Sequence, residues 1–122
     1  MADENPQDRR RFARLNTGPD YDVHIVFQGR LLERARLTSI SGSGCAVQVQ
    51  IEEIPSLEVG AIFDTVHLVH PDLPYVPLPG TAVWVMGRHA TKTTGTVLLG
   101  IDFAPITPFL QHFMDAHVMA HS

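Results

Sequence analysis

The sequence predicts a mainly β fold, a six-stranded antiparallel barrel followed by one C-terminal α-helix. Six short segments rich in Val, Ile, Leu and Phe alternate apolar and polar residues, as strands with one buried face do. The last segment changes to spacings of three and four residues, which is typical of an amphipathic helix. With 122 residues, 44% of them hydrophobic, the chain has enough material for one core and too little for two.

The predicted strands are separated by turns of recognisable composition. Gly29-Arg30 is expected to form the tight turn of a first hairpin. The Gly/Ser run at residues 41–44 separates the second strand from the third. Four prolines between residues 71 and 79 predict a loop, because proline cannot donate to a β-ladder. The strands are expected over residues 21–28, 31–40, 45–51, 61–69, 81–86 and 96–103.

The closing helix is predicted from about residue 106. Thr107 is a suitable N-cap, and Pro108 fits the first helical position. The helix is expected to cover an open face or end of the barrel, since closure and covering both remove exposed strand edges. Its predicted apolar face consists of Ile106, Phe109, Leu110, Phe113, Met114 and Val118.

Charge and hydropathy exclude several classes of protein. The net charge of −4 argues against a general nucleic-acid binder, so no DNA or RNA partner is expected. No apolar run approaches the roughly 18 residues that cross a bilayer. The polar first ten residues do not resemble a signal peptide. We therefore expect a cytoplasmic protein without membrane insertion.

Local patterns of catalytic residues are weak. The run Gly42-Ser43-Gly44 lacks the third glycine and the following helix of a dinucleotide-binding turn. Cys45 is the single cysteine, so the chain has no internal disulfide, and nothing nearby marks an activated thiol. Because no nucleophile, base and orienting group can be assembled, the chain is not expected to be an enzyme.

Two histidine pairs have spacings that metal sites use. His67 and His70 would point to opposite faces of a strand. His117 and His121 could share a helix face, but they lie near the chain end. No carboxylate or thiol is placed to complete either site, so we expect surface histidines and no metal or cofactor.

Arginine is concentrated at the start of the chain. Seven of the first 36 residues are arginine and none is lysine. The guanidinium group is a planar fork that binds phosphate, stacks on flat rings and can pair with guanine, so a small planar anion is the expected ligand. Residues 1–14 are predicted to be a flexible arginine-rich arm, and residues 15–122 a single domain.

Two short motifs stand in a fixed order. Residues 10–14 form R-x-x-x-R where the arm meets the first strand, and residues 39–44 form S-x-S-x-x-G at the end of the second strand. This pairing resembles the PilZ domain, whose pattern is R-x-x-x-R followed by D/N-x-S-x-x-G. The resemblance extends over nearly the whole chain and includes the late Gly100-x-x-Phe103 and the closing helix.

The resemblance implies a receptor for the bacterial second messenger cyclic di-GMP, a cyclic dinucleotide with two guanines and two phosphates. The motif arginines would grip phosphate and guanine, and the second motif would lie against the ligand. An arginine directly before the first motif arginine would accompany a stacked pair of ligand molecules. The residues expected to bind cyclic di-GMP are Arg9, Arg10, Arg14, Ser39, Ser41 and Gly44.

Ser39 departs from the family pattern, which has Asp or Asn at this position. A carboxylate or amide oxygen can accept from the N1 and N2 hydrogens of guanine, and a serine hydroxyl is shorter and uncharged. Two functions follow. The first is a receptor whose arm orders on ligand binding and signals to a protein effector. The alternative is an adaptor in pilus or flagellar control that binds no nucleotide and acts through protein contacts. The sequence does not identify the effector, and it leaves open whether the chain forms a homodimer.

Overall fold

The computed structural model describes residues 14–88 and 94–121. These residues form one antiparallel sheet, a short 3-10 helix at Ile51–Glu53 and one α-helix, α1, at Pro108–His121. The strand order across the sheet is β1-β4-β5-β8-β7-β6-β2-β3. The strands are β1 (Leu15–Asn16), β2 (Asp22–Phe27), β3 (Arg30–Leu31), β4 (Arg36–Ile40), β5 (Gly44–Gln50), β6 (Ile62–Val69), β7 (Leu78–Met86) and β8 (Thr96–Asp102).

The mainly β fold with a C-terminal helix is confirmed, but the prediction of a closed six-stranded barrel is not. The described part of the chain forms 8 strands, and its sheet is open. β2 and β4 lie close to each other, yet no hydrogen-bonded ladder joins them within the described ranges. The sheet therefore curls towards a barrel without closing.

The predicted second strand, residues 31–40, is divided in two. β3 pairs with β2, and β4 pairs with β5. Between them, the carboxylate of Glu53 accepts hydrogen bonds from the backbone N–H groups of Glu33, at 2.9 Å, and Arg34, at 3.1 Å. These amides are bound to a side chain instead of a neighbouring strand, so the ladder stops.

The first hairpin is confirmed with its turn shifted by one residue. Phe27 pairs with Arg30, so the turn is Gln28-Gly29. Both residues have positive φ, 52° and 81°, as a two-residue hairpin turn of the right twist requires. Asp64 on β6 accepts from both turn amides, which holds the turn against the sheet.

The proline-rich loop ends earlier than expected, because β7 begins at Leu78 and includes Pro79. The β6–β7 ladder shifts register between Phe63 and Val66, directly opposite Pro79. A bulge leaves the facing residue without a regular ladder bond, so the missing N–H of proline costs little there.

Helix α1 begins as predicted, and the Thr107 hydroxyl accepts from the Leu110 N–H at 3.2 Å. Its buried residues are Met114, His117 and Val118. The prediction that Phe109 and Phe113 belong to the apolar face is wrong, since they are 77% and 39% exposed. The helix packs a neighbouring stripe of residues against the curled sheet, and both phenylalanines lie on the flank of that stripe.

The core lies inside the curled sheet and beneath α1. Alternate residues of each long strand point inward, and on β8 these are Val97, Leu99 and Ile101. The residues between them point outward, so Gly100 and Asp102 lie on the outer face. Within the described ranges, no helix combines the length and the hydropathy of a membrane span.

Candidate functional site

The S-x-S-x-x-G segment forms the tight turn between β4 and β5. The Ser41 N–H donates to the Gly44 carbonyl at 2.9 Å, and the Ser41 hydroxyl donates to the same oxygen at 3.3 Å. The Ser43 N–H lies 3.4 Å from the Ser41 hydroxyl oxygen. Ser41 is buried, and its hydroxyl is engaged within the turn. The structure therefore gives Ser41 a role in shaping the turn.

Gly44 is required for a steric reason. A Cβ at Gly44 would overlap the Ile101 carbonyl oxygen and lie 3.3 Å from the Ile101 carbonyl carbon. Positive φ is not the reason for glycine here, because the positive-φ glycines of the described chain lie elsewhere, at Gly29, Gly60, Gly87 and Gly95. The absence of a side chain lets β5 approach β8 closely.

Arg14 and Ser39 are brought together as the two motifs predict. Arg14 immediately precedes β1, which pairs with the end of β4. Its guanidinium Nη1 donates to the Ser39 hydroxyl oxygen at 3.3 Å. Ser39 is 7% exposed, whereas Arg14 is exposed. Arg9 and Arg10 lie outside the described residues.

A pocket of about 250 Å³ lies beside this pair on the outer face of the sheet. Gly44 of β5 and Gly100 of β8 lie on neighbouring strands, two residues apart in register, so part of the floor has no side chains. Its other polar or aromatic lining residues are Arg14, Ser41, Ser43, Trp84 and Asp102. The pocket thus combines a guanidinium, a large aromatic ring and a carboxylate.

Trp84 lies against the backbone of Gly100. The two residues are cross-strand partners, and a Cβ at Gly100 would overlap the indole and lie 2.8 Å from its Cδ1. Sequence reasoning missed Trp84, although it is the single tryptophan of the chain. The usable signal was a tryptophan on one predicted strand and a glycine on the next. A register shift between Ala82 and Trp84 hid their pairing.

Cys45 borders the pocket but is buried. Burial raises the pKa of its thiol to about 12, and the Arg14 guanidinium lowers that pKa by a smaller amount. Near neutral pH the group is a thiol and a poor nucleophile, because the thiolate is the reactive form.

A second polar cluster joins α1 to the sheet. We call it the histidine cluster, and it consists of Tyr21, His70, His117 and His121. The Tyr21 hydroxyl lies 2.7 Å from Nε2 of His117. Tyr21 stacks on His70 with ring centroids 4.1 Å apart, and His117 stacks on His121 at 4.2 Å. The expectation of surface histidines is wrong for His117, which is 5% exposed.

The rings of the histidine cluster are bonded to their surroundings. His70 Nε2 lies 3.3 Å from an Asp20 carboxylate oxygen, and His70 Nδ1 accepts from the Asp72 N–H at 3.1 Å. Burial lowers the pKa of His117, and neighbouring His121 and His70 lower it further. Within the described ranges, no group of three or more His, Cys, Asp or Glu residues is arranged to hold a metal ion.

Comparison with known proteins identifies the sequence family. The family model for the PilZ domain matches residues 8–119. This range includes both short motifs, Trp84, Asp102 and most of α1. A search of curated protein sequences finds no match.

Solved structures share the fold at low sequence identity. The PilZ domain of YcgR from Escherichia coli with c-di-GMP superimposes with a TM-score of 0.71 at 18% identity, covering 93% of this chain and 91% of that chain. A complex of YcgR with c-di-GMP gives a TM-score of 0.69 at 18% identity, covering 92% of this chain and 45% of that chain.

The MrkH–c-di-GMP complex of K. pneumonia is similar too, with a TM-score of 0.65 at 13% identity, covering 87% of this chain and 49% of that chain. MrkH is described as a c-di-GMP-dependent transcription regulatory factor. The chain therefore spans about half the length of MrkH and of the longer YcgR chain.

Proposed function

The chain belongs to the PilZ family, and on that premise we propose that it is a receptor for cyclic di-GMP that binds the nucleotide in the pocket between Arg14 and Trp84. The observation that carries this proposal is the indole of Trp84 lying over Gly100 in one pocket with the Arg14 guanidinium. A flat base stacks on an aromatic ring, and a guanidinium binds phosphate through charge-assisted hydrogen bonds. The pocket therefore offers an aromatic ring for a guanine base of cyclic di-GMP and a guanidinium for its phosphates.

Each of the three arginines Arg9, Arg10 and Arg14 has its own proposed contact with the ligand. Arg14 reaches the pocket, and among the described residues its guanidinium makes one hydrogen bond, to Ser39, so its other N–H groups can bind the ligand. Arg10, the other arginine of the first motif, grips a phosphate or guanine in the same way. Arg9 stacks on, or neutralises, the second molecule of a stacked ligand pair.

The second motif acts through the turn as well as through direct contact. Ser41 holds the turn closed, and Gly44 lets the strands approach. The Ser39 oxygen accepts from Arg14, so its hydroxyl hydrogen can be donated to the ligand. Ser41 and Gly44 thus border the site, and Ser39 positions Arg14 beside it.

The output of binding is a contact with a protein effector, and the chain is a sensor with no catalytic role. Helix α1 supports this, because it presents Phe109 and Phe113 to the surface while Asp115 lies against Gly42 of the β4–β5 turn. A change of the β4–β5 turn on ligand binding therefore takes place next to the helix that presents Phe109 and Phe113. The net charge of −4 argues for a protein partner over DNA.

The alternative function is an adaptor that binds no nucleotide and acts by protein contacts alone. Ser39 in place of Asp or Asn supports it, since a hydroxyl accepts fewer guanine hydrogens. The aromatic side chain over Gly100 and the Arg14 guanidinium favour the receptor, because an adaptor has no need of an open stacking surface beside a cation.

Isothermal titration with cyclic di-GMP separates the two functions. We expect wild-type protein to bind, and Arg14→Ala to weaken binding by about 10- to 150-fold, since charge-assisted hydrogen bonds are worth about 1.5–3 kcal/mol. Arg30→Ala is the matched control, because Arg30 is exposed on β3 and does not border the pocket. If the folded wild-type protein gives no binding heat at high micromolar ligand, the receptor is excluded and the adaptor remains.

A further inference from the structure

We propose that Asp102 is the residue of this pocket that selects guanine, its carboxylate accepting hydrogen bonds from the N1–H and N2–H groups of one guanine of cyclic di-GMP. The inference rests on the proposed function, because it concerns the same pocket and ligand. It assigns to β8 a carboxylate contact with guanine that the two short motifs, residues 10–14 and 39–44, do not supply.

Position is the first support for this role. Asp102 is the last residue of β8, where it pairs with Gly44 of β5 and with Thr81 of β7. Successive strand residues alternate between faces, so Asp102 lies on the same outer face as Gly100. Its side chain borders the pocket together with Arg14 and Trp84.

The second support is that the Asp102 carboxylate has no polar partner among the residues that the structure describes. It makes no hydrogen bond or ion pair with any residue in 14–88 or 94–121. The Asp64 carboxylate, by contrast, binds two turn amides, and the Asp22 carboxylate accepts from the Val23 N–H. A half-buried acceptor that no residue of these ranges uses is available to a ligand.

The charge of the ligand then decides what Asp102 can contact. Among the described residues that line the pocket, it is the one acidic residue. A carboxylate repels the two phosphates of cyclic di-GMP, so it is tolerated beside them only where it meets hydrogen-bond donors. We therefore place the phosphates towards Arg14 and a base edge towards Asp102.

Among nucleotide bases, guanine has the edge that fits. Its N1–H and N2–H donors are adjacent and nearly parallel, and the two oxygens of a carboxylate accept them together. Adenine has an acceptor at N1 and offers no such pair. The carboxylate at residue 102 therefore predicts selection of guanine over adenine and over hypoxanthine, which lacks the 2-amino group.

Ser39 does not supply this contact. It pairs with Ala46 across β4 and β5, is 7% exposed, and its oxygen accepts from Arg14. Three residues of the two short motifs line the pocket, and none of them has a carboxylate: Arg14, Ser41 and Gly44. Asp102 thus provides the anionic acceptor on the opposite side of β5.

A ligand-and-variant cycle tests the contact directly. Binding of cyclic di-GMP and of cyclic di-IMP, the inosine analogue without the 2-amino group, is measured by isothermal titration for wild type and for Asp102→Ala. We expect wild type to prefer cyclic di-GMP by about tenfold or more, the range of one charge-assisted hydrogen bond. In Asp102→Ala the affinity for cyclic di-GMP falls by about tenfold, and the preference shrinks to about twofold.

Glu58→Ala is the charge control. Glu58 is exposed between the 3-10 helix and β6 and does not border the pocket. Loss of a bystander carboxylate reduces repulsion, so this variant should bind the anionic ligand equally well or more tightly and keep the preference. A guanine-reading carboxylate predicts the opposite sign for Asp102→Ala.

Asp102→Asn provides a second variant of the same shape, which keeps one acceptor oxygen and should lose part of the preference. Thermal denaturation verifies that each variant folds. If wild type binds cyclic di-GMP but the Asp102 variants keep full affinity and full preference, this inference is overturned while the receptor function stands. If wild type binds neither dinucleotide, the receptor function and the inference both fail.

Discussion

The pocket and the histidine cluster both combine aromatic and ionisable side chains, but they differ in where their polar atoms are directed. In the histidine cluster, Tyr21 binds His117, and His70 contacts Asp20 and the Asp72 amide. In the pocket, within the described part of the chain, the Asp102 carboxylate has no hydrogen-bond partner and the Arg14 guanidinium makes one long bond, to Ser39. The polar groups of the histidine cluster bind one another and neighbouring residues, which stabilises the fold. The pocket leaves polar groups available to a ligand.

The largest expected effect is a loss of stability at the pocket, where Gly44 serves both the packing of the sheet and the site. Gly44→Ala places a Cβ against the Ile101 carbonyl of the neighbouring strand, which must shift. We expect a loss of about 2–4 kcal/mol in the free energy of unfolding, measured by denaturant titration.

Gly18→Ala is the control, because its added Cβ meets its nearest neighbour, an Asp20 oxygen, at 3.4 Å. That variant should stay within about 0.5 kcal/mol of wild type. Equal stability of Gly44→Ala and Gly18→Ala would show that the close approach of β5 to β8 does not require glycine.

On the other side of the comparison, His117→Ala should act on stability alone. It removes a buried ring and leaves the Tyr21 hydroxyl without its 2.7 Å partner, so we expect a loss of about 1–3 kcal/mol. The affinity of the folded protein for cyclic di-GMP should stay within about twofold of wild type. The exposed His112 of the same helix gives the control variant His112→Ala.

A His117→Ala protein of unchanged stability that no longer binds the dinucleotide would reverse the assignment. The histidine cluster would then belong to the ligand site.

Trp84→Ala should show the reverse pattern. Stacking of one base on an aromatic ring is worth about 1–3 kcal/mol, so affinity for cyclic di-GMP should fall by about tenfold or more. Met86→Ala on the same strand is the control, since Met86 is 60% exposed and does not border the pocket. Isothermal titration measures both, and equal affinities would remove Trp84 from the site.

The smallest expected effect is a pH dependence that belongs to the histidine cluster. Burial and the neighbouring His121 and His70 lower the pKa of His117 in the folded protein, so the unfolded chain takes up a proton at a higher pH. The contribution of His117 to stability is complete above the ordinary histidine pKa. It is lost as the pH falls through the lowered value.

Melting temperature measured from about pH 7.5 to about pH 5 checks this dependence. The fall on acidification should be shallower in His117→Gln than in wild type. Identical slopes would show that His117 is not the titrating group.

Local sequence signals predicted the elements whose residues interact with near neighbours. Alternation located the long strands, and the Thr107 cap located the start of α1. Two-residue strands such as β1 and β3 carry no periodic pattern, so six strands were expected where eight are described. Spacing on α1 also could not distinguish the flank with Phe109 from the buried stripe, because both repeat every three to four residues.

The site was predictable only as far as its residues share a short motif. Arg14 and Ser39 were paired correctly because their two motifs have a recognisable order. Trp84 over Gly100 depends on a strand register that includes a bulge. Tyr21 and His117 are separated by 96 positions, and nothing local to either residue indicates the other. Such contacts are products of the tertiary fold.

Fluorescence of Trp84 tests the central claim, that cyclic di-GMP binds in this pocket, most directly. Trp84 is the single tryptophan of the chain, so its emission reports on the pocket alone. A guanine stacked near the indole should change the emission saturably, with the same midpoint as the calorimetric titration, and Arg14→Ala should shift that midpoint to higher ligand concentration. Calorimetric binding with unchanged Trp84 emission would contradict the account and assign the ligand to another surface.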